Sequence, residues 1–305
     1  MDVNIIGQTA AIITATVWTL NSILFTTAGK KIGAISVNGY RIIAAVIFLI
    51  ITHLIIYGNI LPIQSYEQWS WIGLSGIIGL GIGDFGLFAS FVIIGPRRSL
   101  LIMSLSPIIA AILAYLILNE ILSYYAIIGM IITILGVLIV IIEKEENSLE
   151  EKLTNKQKIW GITLALVGAI GQGTGVVFAK KGIYIDPNQI VNPLSATLIR
   201  MIPAMIFIWI CIVLAGKLPE IKKAIKNKKG MQSTIAGAFL GPFIGVTFSM
   251  IAVTFTEIGV AQTLMSLMPV MILPIIWILY RQKTNLRGIL GAIIAITGVA
   301  ILFLV

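Results

Sequence analysis

Long, nearly unbroken runs of apolar residues dominate this chain, with short polar gaps between them. Runs of membrane-spanning length fall at about 4–28, 35–57, 69–94, 97–118, 122–143, 157–182, 189–216, 231–255, 258–280 and 285–305. A helix rises about 1.5 Å per residue and needs about 20 apolar residues to cross a hydrocarbon core about 30 Å thick, so each run predicts one transmembrane helix. Barrel strands are set aside, because they are about 9–11 residues long and alternate polar with apolar positions. The pattern therefore predicts an all-α integral membrane protein with ten transmembrane helices. Two gaps stand apart from the rest: Glu143–Lys158 is charged throughout and lies midway, and Lys217–Lys229 is strongly basic.

The pattern also repeats. Met103-Ser104-Leu105-Ser106-Pro107 returns as Met265-Ser266-Leu267-Met268-Pro269, and Gly129 and Gly136 return as Gly291 and Gly298, all at one offset of 162 residues. Gly79 and Gly83 answer Gly241 and Gly245 at that same spacing, Arg41 answers Arg200, and Ile12–Lys31 resembles Ile162–Lys181. The constant, ungapped offset of the 162-residue pairs points to duplication rather than shared composition. The predicted organisation is a first five-helix repeat over 1–143, a charged linker over 144–158 and a second five-helix repeat over 159–305. Five is odd, so the second copy must enter the membrane from the opposite side. Such inverted repeats build many secondary transporters, with sites near the midplane between the copies.

Composition agrees with a chain held in the lipid bilayer. Residues are 58% hydrophobic and 11% charged, against about 25% charged in soluble domains, and mean hydropathy is +1.05. A net charge of +9 would suggest nucleic acid as a partner of a soluble protein. Here the basic residues gather in the short gaps, so no nucleic-acid partner is expected. Gaps after odd-numbered runs hold 17 Lys and Arg, against only Lys180 and Lys181 on the other side, with Arg41 and Arg200 left out as intramembrane. That bias predicts cytoplasmic odd-numbered loops and both termini outside a cell membrane. The N-terminal MDVNIIGQTA lacks a basic n-region, so no cleavable signal peptide is expected. The single Cys211 reads as a small apolar filler, and the lone His53 has no second His or Cys to share a metal. No HExxH, Ser-x-x-Lys, Gly-x-Ser-x-Gly or phosphate-binding loop occurs. The expectation is no enzyme and no cofactor, with any transport drawing on an ion or substrate gradient.

Asp84, inside the third run, is the most informative polar residue. A carboxylate near the bilayer centre costs at least about 2.5–3.5 kcal/mol, so it should face a cavity or a partner. It suits a coupling proton or cation, or a substrate amine; otherwise it holds a glycine-rich helix to its neighbour. Its repeat partner is the apolar Val246. Arg41 and Arg200 either snorkel to the interface or bind a substrate carboxylate. Trp18 and Asn21 share one face of the first helix, with Gly168 and Gly171, beside Gln172, as their expected counterparts. Gln262 and Ser266, together with Ser99, Ser104 and Ser106, add neutral polar groups, although Ser and Thr often bond back to their own helix. Pro107 and Pro269 predict kinks, and their matched places make them candidate hinges. The glycine stripes predict close helix packing. Glu120 and Glu257 fall at helix ends and read as solvated.

Taken together, these residues resemble the EamA family of the drug/metabolite transporter superfamily. The resemblance covers essentially the whole chain. It rests on Ser104-Leu105-Ser106-Pro107 leading to Asn119-Glu120, on Ser266-Leu267-Met268-Pro269, on Trp18-Thr19-Leu20-Asn21 and on Arg41. It implies a polytopic inner-membrane carrier, often an exporter of amino acids or related small-molecule substrates, with a central cavity between the halves. The second half departs from the family pattern where Arg281-Gln282 replaces an acidic residue, which speaks against any role needing a carboxylate in both halves. Two readings from other classes remain. A lipid-modifying membrane enzyme would need a polar catalytic cluster at a membrane face, and a non-transporting scaffold would have a sealed interior.

Overall fold

The computed structural model describes residues 3–142, 153–280 and 286–304, and all regular structure among them is helical. In chain order the helices are α1 (Val3–Ile32), α2 (Ala34–Tyr57), α3 (Tyr66–Gly76), α4 (Asp84–Met103), α5 (Ser106–Leu118), α6 (Tyr124–Ile142) and α7 (Asn155–Tyr184). They continue with α8 (Pro193–Leu214), α9 (Leu218–Ala224), α10 (Lys228–Ala238), α11 (Val246–Phe255), α12 (Ile258–Met265), α13 (Met268–Tyr280) and α14 (Leu286–Leu302). Several run on into one another. Among the described residues nine continuous helices are long and apolar enough to cross a membrane, and α14 is a shorter apolar helix of 17 residues. Most of the predicted linker (144–152) and the Arg281-Gln282 departure lie outside the described residues.

Local chemistry sets the boundaries. Ser65 and Thr154 each cap a helix start through a reciprocal pair with a Gln three residues on, at α3 and α7, satisfying amide donors that the first turn leaves free. Asn192 caps α8, with Pro193 at its first position, where a missing N–H is no loss. The Gly95-Pro96 turn ends the third span. Gly95 has φ 83°, with open space where a Cβ would stand, so backbone conformation alone selects glycine there. The basic gap is not a plain loop. Its α9 buries Ile221 and Ala224, and the Ile221 carbonyl accepts from the Tyr40 hydroxyl at 2.9 Å.

Two seven-residue π-helical turns, Ile77–Gly83 and Phe239–Gly245, join α3 to α4 and α10 to α11. They stand 162 residues apart, so the sequence repeat extends to an irregular feature of the backbone. In both, the next residue (Asp84 or Val246) donates its N–H five residues back, to Gly79 or Gly241. Such turns widen a helix locally and often sit at functional sites.

The copies are interleaved. α1 packs along α10 and α11 of the second copy, and α7 packs along α3 and α4 of the first. α2 meets its counterpart α8, and α6 lies along α14 in the most extensive contact of the molecule. Lipid gives apolar helices little reason to associate, so close approach of small residues supplies the attraction. A Cβ on Gly136 would stand 2.3 Å from the Ala295 nitrogen, and one on Gly298 2.4 Å from the Thr133 nitrogen. Cys211 departs from its reading as filler, because it is exposed on the outer surface of α8.

The prolines also correct an expectation. Pro107 and Pro269 do not interrupt helices; each sits in the first turn of a new one, α5 or α13. The breaks come just before, at Ser104-Leu105 and Ser266-Leu267, where Leu105 and Leu267 donate to carbonyls three residues back. Proline is well tolerated in a first turn, so the chain bends ahead of it.

Candidate functional site

Asp84 is the first residue after the first π-turn, and two other elements, α2 and α7, converge on it. Its Oδ2 accepts from Arg41 Nη2 at 2.7 Å, and its Oδ1 accepts from Gln172 Nε2 at 2.7 Å. Gln172 also donates to the Gly79 carbonyl at 3.3 Å, a group within the π-turn. Arg41 Nε donates to Asn38 Oδ1 at 2.8 Å, and the guanidinium stacks 5.5 Å from Phe25 and 5.1 Å from Phe88. Arg41 and Asp84 side chains are only 11% and 13% exposed. Arg41 therefore does not snorkel. It neutralises the one carboxylate in the interior of the third span, and Gln172 ties that pair to the second copy. A charge-assisted pair out of water needs such extra bonds to offset desolvation.

Arg200 stands across Gly79 from this cluster. It is 2% exposed, its Nε has no hydrogen-bond partner, and its Nη1 reaches only the Met250 sulfur at 4.0 Å. A Cβ on Gly79 would lie 2.7 Å from Arg200 Nη2, and one on Gly76 only 1.9 Å from the Arg200 carbonyl oxygen. These two glycines thus let the third span press against α8. Snorkelling fails for this arginine too.

Trp18 and Asn21 lie near the middle of α1 rather than at either end. The Trp18 indole lies against Gly245 and the Asn21 amide against Gly241. Asn21 is buried, and its Oδ1 lacks a partner. In the other copy Gly83 faces Gly171 and Gly79 faces Gly175. The counterparts of Trp18 and Asn21 are therefore Gly171 and Gly175, about one turn beyond the Gly168 and Gly171 read from the sequence. Phe25 links this region to the ion pair, because it packs on Gly237 and under Arg41. Gln262 lies farther off, its Nε2 3.5 Å from Ser106 Oγ across the copies. Ser266 turns back to the Thr263 carbonyl at 2.7 Å and does not join the cluster.

A second charged contact was misread from the sequence. Glu120 is not solvated: its Oε1 meets Lys180 Nζ at 2.6 Å, with each side chain 14% exposed, and its Oε2 accepts the Ile258 N–H at 2.9 Å. Lys180 also donates to the Thr256 carbonyl at 2.7 Å, and Tyr184 donates to Thr254 at 2.7 Å. Here the first copy's Glu120 is bonded to two segments of the second, α7 and the start of α12. Beside it opens a polar cleft of about 290 Å³ lined by Asn4, Lys180, Tyr184, Thr256 and Glu257 among others. A larger groove of about 490 Å³ between α2 and α8 is lined only by apolar residues such as Ile43, Met205 and Trp209, and suits lipid tails. The polar cavity expected between the halves is neither of these. At the centre, among the described residues, polar groups meet one another directly. His53 is a buried structural residue, bonded to the Asn59 carbonyl at 2.7 Å and Ser195 Oγ at 3.0 Å.

Comparison with known proteins bears on what such a centre does. The model of the EamA-like transporter family matches residues 5–142 and 159–304. Nothing among curated proteins matches the chain. A solved structure described only as "Crystal structure of protein" superposes with a TM-score of 0.76 at 13% identity, over 99% of this chain and 96% of that one. At that identity the likeness is one of fold.

Proposed function

The chain belongs to the EamA-like transporter family, whose members are multi-pass membrane transporters, and on that premise we propose a secondary-active carrier that exports a small metabolite, an amino acid or related compound, across the cell membrane. The two repeats are inverted and work by alternating access, with both termini outside, as the Lys and Arg bias favours. One observation carries this reading: a membrane-embedded carboxylate, Asp84, bonded at once to Arg41 of its own copy and Gln172 of the other. A carrier needs contacts between its halves that break and re-form at the site. The Asp84–Gln172 bond is such a contact, and the charge of Asp84, balanced by Arg41, makes this cluster the coupling group. The Glu120–Lys180 contact is a second junction between the copies, at one end of the bundle. The breaks ahead of Pro107 and Pro269 are the hinges.

The test is uptake into proteoliposomes of a panel of amino acids, nucleosides and organic cations, with and without an imposed pH gradient. Asp84→Asn should abolish dependence on the pH gradient. Gradient-dependent transport unchanged in Asp84→Asn removes this residue from the mechanism, and no uptake of any compound by the native protein favours the scaffold reading.

A further inference from the structure

Arg41 and Arg200 occupy equivalent places in their copies, but their surroundings differ, most of all in charge. Arg41 faces Asp84 and stacks on Phe88. At the offset of 162 those positions become Val246 and Met250, and Arg200 does reach Met250. Where the first copy supplies a carboxylate, the second supplies a buried valine. Arg200 forms no ion pair among the described residues. Asp84 lies within Coulombic reach of it but is already engaged by Arg41 and Gln172. Two arginines and one carboxylate thus leave one uncompensated positive charge at the heart of the bundle. An unpaired buried charge is strongly unfavourable, and Arg200 has no carboxylate in direct contact to offset it.

We propose that Arg200 binds the carboxylate of the carried substrate, which takes in the second copy the position that Asp84 takes in the first. The substrate class is then a small organic acid with one free carboxylate, amino acids included. This deepens the carrier reading and rests on it. A single carboxylate matches the single unpaired guanidinium, whose fork takes both oxygens at once. A phosphate dianion would instead leave the interior negative. Arg200 is 2% exposed, so the substrate is admitted only when the third span and α8 separate. The bare Gly76 and Gly79 that face this arginine leave that seam free of side chains.

Two measurements test the assignment, and the first needs no substrate. The purified protein is melted in detergent as wild type, Arg200→Met, Val246→Asp and the double variant. Arg200→Met should melt at or above the wild type, because it removes an uncompensated charge. Val246→Asp should fold and melt no lower, with the built-in carboxylate answering Arg200, and the double variant should melt below both single variants. A large loss of stability in Arg200→Met, or equal loss from Val246→Asp with and without Arg200, overturns the proposal. The second measurement is uptake into proteoliposomes of carboxylic acids, their amides, their decarboxylated amines, chloride and inorganic phosphate. Acids alone should be carried, with at least a tenfold loss in Arg200→Met and Val246→Asp and a smaller loss in Arg200→Lys. Amides or amines carried as well as acids, and unaffected by Arg200→Met, overturn the assignment but leave the carrier standing, as does transport of chloride or phosphate alone. If the wild type carries nothing, the carrier reading fails, and the melting series still decides whether Arg200 awaits an anion.

Discussion

Lys180 and Glu120 meet at 2.6 Å although one ends a helix of the second copy and the other follows a helix of the first. Both side chains are only 14% exposed, so water screens the contact far less than a surface pair. Glu120→Gln should lower stability by about 2 kcal/mol, between the small worth of a surface pair and the loss on breaking a buried one. Melting of Glu120→Gln, Lys180→Met and the double variant checks it. Coupling between the two sites should make the double variant less damaged than the sum of the singles, and strict additivity would count against the contact.

The Arg41–Asp84 pair should show a stronger form of that behaviour. Removing one partner strands the other within the membrane, so Arg41→Met and Asp84→Asn should each destabilise, Arg41→Met by about 3–5 kcal/mol. Asp84→Asn keeps a group able to bond Gln172 and should fall less. The combination Arg41→Met with Asp84→Asn should recover much of the loss in a melting experiment. Arg41→Met melting like the wild type would show that Asp84 does not depend on it.

Glycine at 136 is predicted to tolerate no larger residue. Its Cβ would stand 2.3 Å from one backbone atom of α14 and 2.7 Å from another, and neither can swing aside as a side chain does. Gly136→Val should force α6 from α14 at a loss of about 1–3 kcal/mol or more. The readout is the yield and melting temperature of folded protein. Full yield with unchanged melting would contradict the close packing.

Gly95 makes a useful contrast, since nothing crowds it. Gly95→Ala should cost about 1–3 kcal/mol through its φ of 83° alone. Gly29→Ala, in a helix with equally open space, should be neutral or stabilising. Melting the two variants side by side separates conformation from crowding.

How much of this was legible in the sequence follows from where each signal lives. Helices were legible because saturated apolar runs admit few other structures, and the halves because Ser104–Pro107 and Ser266–Met268-Pro269 keep one spacing. Asp84 was legible as a residue, because a carboxylate in such a run is out of place. Its partners were not. Arg41 read equally well as a snorkelling side chain, and only the packing of α2 beside the third span decides. Glu120 and Lys180 each looked like an ordinary charge at the end of a run, and nothing local tells that two ends of different copies meet. The π-turns were hidden too, because glycine-rich and proline-containing runs permit an extra residue in a turn without demanding one.

The contrast between Asp84 and Val246 also says something about ancestry. Two identical five-helix chains assembled as a pair would carry aspartate at both positions, and each arginine would then be answered from within. Only once the two copies are encoded separately, as they are within this chain, can one position mutate while the other stays. Separate encoding of the copies is thus what permits an assembly with two equivalent arginines to leave one of them unanswered.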